Sequence, residues 1–136
     1  MTASIGDLLL LAHALATAVM MGVIWTMQLV HYPLFARVPA GAFTAYEREH
    51  MRRISLIVGP AMLVELATAT VIALSPPAGV PTVLAWAGLA LLLAIWVSTA
   101  VAQGPIHRRL AARGWDQRLI DRLVASNWLR TVLWTA

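Results

Sequence analysis

The chain has 136 residues, 60% of them hydrophobic and 12% charged, with a mean hydropathy of +0.77. Soluble domains carry about 25% charged residues, so this composition excludes a soluble fold, and the length leaves no room for a separate catalytic module. All ten basic residues are arginine, against six acids, giving a net charge of +4 and an isoelectric point near 11.1, and the absence of cysteine excludes disulfides, thiolate metal sites and a cysteine nucleophile.

Such a charge balance suits a nucleic-acid binder, but here the arginines flank hydrophobic runs, where they set membrane topology. The expected partner is therefore the lipid bilayer and not nucleic acid. The N-terminal stretch has no basic region, and the apolar run after it extends to Val30, too long for a signal-peptide core and suited to a retained span.

In chain order, the sequence predicts one membrane domain over residues 1–136 with four helices. Helix one covers about 4–35, with Ser4 as its cap and Asp7 reaching back to it. Pro39-Ala40-Gly41 breaks it. Helix two covers about 42–74: its first part is amphipathic, and Ile54–Leu74 is apolar apart from Glu65, with Gly59-Pro60 expected to kink it. Helix three covers about 82–103 and is expected to stop at Gly104-Pro105. Helix four covers about 116–136 with Asp116 as N-cap; Asp121, Arg122, Asn127 and Arg130 interrupt its apolar run, so it either crosses the bilayer as a weak span or lies on its surface.

Arg37, Arg48, Arg52 and Arg53 lie between spans one and two, and Arg108, Arg109, Arg113, Arg118 and Arg122 lie between or beside spans three and four; the turn joining two and three has none. The positive-inside rule then predicts an all-α, four-helix antiparallel transmembrane bundle of the bacterial inner membrane, with arginine-rich loops in the cytoplasm and both termini on the outer, periplasmic side. Four spans also suit a homo-oligomer or a partner membrane subunit.

Ionisable residues within spans are costly and are functional candidates for that reason. Glu65 and Arg130 each lie eleven residues in from the start of their apolar runs, about 16 Å from the cytoplasmic boundary. Two readings follow: an ion pair fixing helix two against helix four, with Asn127 and Trp134 on the same stripe, or a polar cavity of Gln28, Glu65, Asn127 and Arg130 in which Arg130 meets an anionic or quinone-like ligand and Glu65 carries protons. His31, His50 and His107 fall near the cytoplasmic interface, whereas His13 lies about 27 Å from His31 along the same helix. Glu47 and His50 have the i, i+3 spacing that carboxylate-bridged metal bundles use. With His31 and His107 they form a donor set adequate for a transition metal, with haem as an alternative; they are equally read as solvated interface residues. Gln28, Tyr32, Tyr46 and Gln103 fall near the same level.

The strings Gln28-x-x-His31-Tyr32-Pro33-Leu34-Phe35, Tyr46-x-x-x-His50-x-x-Arg53-Ile54, Pro60-x-Met62-x-x-Glu65, Ile95-Trp96-x-Ser98-Thr99, Pro105-Ile106-His107-x-x-Leu110 and Asn127-Trp128-x-Arg130-Thr131 resemble a family of small, uncharacterised bacterial four-helix membrane proteins. More distantly, they are similar to the anthrone-oxygenase-like family of unknown function, which shares the four-helix layout and the Asn-x-x-Arg ending. That resemblance implies oxidation of a flat, apolar aromatic substrate within the bundle, although the set of His31, His50 and His107 departs from it.

Three functional classes stand open on the sequence. One is a metal- or haem-dependent oxidoreductase with His31, His50 and His107 as ligands, Glu47 as ligand or base, and Glu65 and Arg130 serving catalysis. The second is a small-molecule binder or transporter subunit built on Glu65, Asn127 and Arg130. The third is a structural membrane protein. No nucleotide loop or serine–histidine–acid set is present.

Overall fold

The computed structural model describes residues 4–136, which form four helices and no strand. They are α1 (Ile5–Arg37), α2 (Ala40–Leu74), α3 (Thr82–Arg113) and α4 (Gln117–Thr135). Local chemistry sets their starts. Ser4 Oγ accepts from the Asp7 backbone N–H at 3.1 Å while the Asp7 carboxylate accepts from the Ser4 N–H at 2.9 Å, a reciprocal cap. Asp116 accepts from the Leu119 N–H at 3.1 Å and opens α4.

Three boundaries differ from the sequence reading. α1 runs on to Arg37, and α2 begins at Ala40, immediately after Pro39, where a missing N–H costs nothing. More consequentially, α3 does not stop at Gly104-Pro105 but continues to Arg113, where Gly114 with φ +85° ends it. A π turn over Thr99–Gln103 precedes Pro105, and its wider hydrogen-bond ladder accommodates the ring and absent donor of a proline inside the helix. α1 repeats the device: a π turn over Met27–His31 precedes Pro33. α2 passes through Pro60 as one helix.

The helices are antiparallel in sequence order. His13 meets Thr68 and His31 meets His50, so α1 and α2 run oppositely; Trp25 meets Thr135 and Gln28 meets Asn127, so α1 and α4 do too. α1, α2 and α3 are each long and apolar enough to cross a membrane. α4, which is not among the helices apolar enough to cross a membrane, packs into the bundle through one buried stripe, Leu119, Ile120, Leu123, Asn127, Arg130, Thr131 and Trp134, against α1 and α3 and, through Trp134, against Glu65 of α2. Its 19 residues span about 28 Å.

Burial is inverted relative to a soluble domain. Leu56, Leu63 and Val101 are 60–70% exposed, whereas Gln28, Glu47, Glu65, Gln103, His107, Asn127 and Arg130 are buried. Two apolar cores form, one around Met20, Ile24, Leu92 and Trp134 and one around Phe35, Phe43, Leu110 and Leu123, and the buried polar side chains lie among them.

Candidate functional site

The π turns and the short links at the arginine-rich end bring side chains from all four helices to one level. Of the residues singled out in the sequence, Glu47, His50 and His107 converge there with His31. His107 Nδ1 and Glu47 Oε1 are 2.5 Å apart, with Glu47 fully buried and His107 nearly so. Across the ring, His107 Nε2 lies 3.2 Å from the Tyr32 hydroxyl. In the neutral ring, Nδ1–H donated to the Glu47 carboxylate leaves Nε2 as the acceptor, and Tyr32 then donates to it. Beside this pair, His31 Nε2 and His50 Nδ1 share a hydrogen bond of 2.9 Å, and the His50 and His107 rings are 5.8 Å apart.

This set comes together by bonding internally. Among the described residues, no group of three or more histidine, aspartate or glutamate side chains is placed to hold a metal ion. The nitrogens and oxygens address one another rather than a common point. Phe35, fully buried, packs edge-on against His31, His50 and His107 at centroid distances of 5.2, 5.3 and 6.5 Å. A haem held between His31 and His50 would have to break their direct hydrogen bond. Two buried atoms in the cluster nonetheless lack partners, Glu47 Oε2 and His50 Nε2.

Next to the cluster is a partly open cavity of about 160 Å³ lined by Tyr32, His107, Gln103 and Arg130 among apolar neighbours such as Ile24 and Val58. The π turns supply this wall: Thr99 and Gln103 come from one and Met27 from the other. Gln103 is held by Ser98 and Ser126, each at 3.2 Å. Arg130 is buried, its Nε has no partner, and among the described residues no carboxylate pairs with it.

The expected direct Glu65–Arg130 ion pair is therefore absent, and so is a cavity shared by Gln28, Glu65, Asn127 and Arg130. Trp134 stands between the two charges: its indole N–H is 3.2 Å from both Glu65 carboxylate oxygens, while the Arg130 guanidinium carbon lies 5.3 Å from the indole centroid. Equal depth in two helices placed the charges at one level, but the i, i+4 step from Arg130 to Trp134 on α4 put the larger ring in the gap. Gln28 and Asn127 line neither cavity. Gln28 Oε1 accepts from Asn127 Nδ2 at 2.9 Å and from the Thr131 hydroxyl at 3.4 Å, and its Nε2 donates to the Val124 carbonyl at 3.2 Å, a clamp between α1 and α4. Glu65 faces a separate cavity of about 130 Å³ shared with His13 and Thr17. Tyr32 and Gln103, placed in the sequence only near the level of the histidines, both line the Arg130 cavity. Their proximity to the prolines that force the π turns was the available signal.

Comparison with known protein families, curated proteins and solved structures found no match.

Proposed function

We propose that this chain is a multi-pass protein of the bacterial inner membrane, arginine-rich end in the cytoplasm, that binds a small, largely apolar molecule carrying an acidic hydroxyl in the cavity of Arg130 and His107. The observation that carries this is the pairing, across one cavity, of an uncompensated guanidinium with an imidazole backed by a buried carboxylate. Lone buried charges are rare unless something completes them. In this reading Arg130 receives the developing oxyanion. The ligand's proton passes to the Tyr32 oxygen as Tyr32 gives its own to His107 Nε2, and Glu47 stabilises the imidazolium that results. The apolar wall selects against strongly hydrated acids.

4-Nitrophenol tests this, because its absorption distinguishes phenol from phenolate. Titrated into protein in nanodiscs, with empty nanodiscs as the partition control, it should bind saturably and as phenolate. Arg130→Met should abolish saturable binding; Glu47→Gln should retain binding but leave the bound phenol protonated. Uptake no greater than by empty nanodiscs, or unchanged by Arg130→Met, would refute the reading.

A second reading rests on the unpartnered Glu47 Oε2 and His50 Nε2. These two atoms, with His31 and His107 re-aimed, would supply donors for a transition metal in an oxidoreductase. Elemental analysis and an absorption spectrum of the purified protein, beside a His31→Ala/His50→Ala/His107→Ala variant, test it. A stoichiometric metal lost in the variant supports it, and a metal-free wild type refutes it.

A further inference from the structure

Glu65 is 2% exposed, and among the described residues its side chain has one hydrogen-bond donor, the Trp134 indole, and no cationic partner. A single neutral N–H shared by two oxygens leaves most of the acceptor capacity of a carboxylate unused. In the middle of an apolar helix such a group requires a counter-charge or a proton. The cation over the far side of Trp134, Arg130, faces the other cavity. What adjoins the carboxylate is open space of about 130 Å³, walled by Leu91, Leu92, Ile95 and Leu133, with Gly88 leaving room on α3. Thr17 brings a buried hydroxyl to this space with no hydrogen-bond partner, and His13, half-buried and bonded through Nδ1 to Thr68 at 2.9 Å, stands at its edge.

We infer that this is a second ligand site, separate from the Arg130 cavity, and that it takes a small alkylammonium ion. Its ammonium group bonds Glu65 and the Thr17 hydroxyl, and its short alkyl chain lies against the leucines. The donor set decides the class. One carboxylate, one hydroxyl and one imidazole in an otherwise apolar wall fall short of the six or more oxygens that calcium or magnesium demands. Three N–H donors on an alkyl stem match the two Glu65 carboxylate oxygens and the Thr17 hydroxyl oxygen beside apolar surface. The two sites therefore have opposite preferences: a guanidinium facing an anion at one level, a carboxylate facing a cation at the other.

The Trp134 indole N–H is the built-in reporter, since it is bonded to the proposed ligand's own partner. Its proton resonance is identified in nanodisc-embedded protein by its loss in Trp134→Phe. It should shift saturably with n-butylammonium and not with 1-butanol at equal concentration and fixed pH. Glu65→Gln should weaken that response about tenfold or more, with helicity and the other indole signals unchanged. If Glu65→Gln does not fold, Thr17→Leu, which fills the cavity and leaves the carboxylate in place, must abolish the response. An equal shift with the alcohol would make this an apolar pocket only. A shift that follows pH without amine dependence would make Glu65 a proton site. Either result, or an undiminished response in Glu65→Gln or Thr17→Leu, overturns the proposal.

Discussion

Arg130 and Glu65 are linked through Trp134 and not to each other: the guanidinium lies over the indole ring at 5.3 Å and the indole N–H reaches both carboxylate oxygens at 3.2 Å. The arrangement separates two buried charges into two cavities while keeping each in contact with one polarisable ring. A direct salt bridge would have cancelled both charges and left neither for a ligand.

That geometry predicts how substitutions combine. Trp134→Phe keeps the cation–π partner and removes the donor to Glu65, and it should cost about 1–3 kcal/mol. Glu65→Gln in that background should add little, because the shared hydrogen bond is already gone. Glu65→Gln and Arg130→Met should show a coupling that disappears once Trp134 is phenylalanine. Unfolding equilibria of the variants in mixed micelles measure these terms. A Glu65–Arg130 coupling that persists in Trp134→Phe would mean that the charges interact directly.

The buried Glu47–His107 contact predicts a tautomer. With Glu47 accepting from Nδ1, the imidazole nitrogen toward Tyr32 is unprotonated in the neutral ring. Nitrogen-15 shifts of labelled histidine should show the Nδ1–H form for His107 in the wild type and its loss in Glu47→Leu. Glu47→Ala should also destabilise the fold, by about 3 kcal/mol, by stranding a buried partner. A wild-type His107 carrying its proton on Nε2 would contradict the assigned donor direction.

Helix number, order and the polar interior were legible because each depends on patterns that sequence displays directly: apolar runs of span length, arginines at their ends, and ionisable residues inside them. The grouping of Glu47, His31, His50 and His107 was legible for the same reason, since depth along a helix is a count of residues. What depth cannot give is azimuth. A π turn inserts one extra residue and rotates everything beyond it by about 100°, and the two π turns ahead of Pro33 and Pro105 decide which way Tyr32, Gln103 and His107 face. Proline alone reads as a stop, which is why α3 was expected to end ten residues early. The same limit hid Trp134 between Glu65 and Arg130.

Gly104 sits where the second π turn returns to α-helix. A Cβ at this position would lie 3.2 Å from the Thr99 carbonyl oxygen and 3.2 Å from the Arg108 guanidinium. The arginine can move aside, but the carbonyl is fixed by the turn. Gly104→Ala should therefore cost about 1–3 kcal/mol and weaken 4-nitrophenol binding by displacing Thr99 and Gln103 in the cavity wall. Gly22→Ala is the control: nothing lies within 4 Å of its Cβ, and it should be neutral or stabilising by up to about 1 kcal/mol. Equal costs at the two positions would show that the π turn is not sterically held.

Orientation is the remaining consequence of charge. Nine arginines lie at or beside one pair of loops and none in the turn between α2 and α3, 75–81. If the bilayer sorts these by the positive-inside rule, a cysteine introduced at Ala78 should be labelled by a membrane-impermeant maleimide in intact cells, and one introduced at Arg113 only after permeabilisation. The protein's lack of native cysteine makes each label unambiguous. Moving the charge bias should move the topology: arginines placed at Ser75 and Ala78, with Arg108, Arg109 and Arg113 changed to glutamine, should yield a mixed or inverted labelling pattern. That result matters for the chemistry, because it fixes which compartment supplies the ligand of each cavity. Labelling of both positions without permeabilisation would leave the arginines without their topological role and remove the basis for placing the Arg130 site toward the cytoplasm.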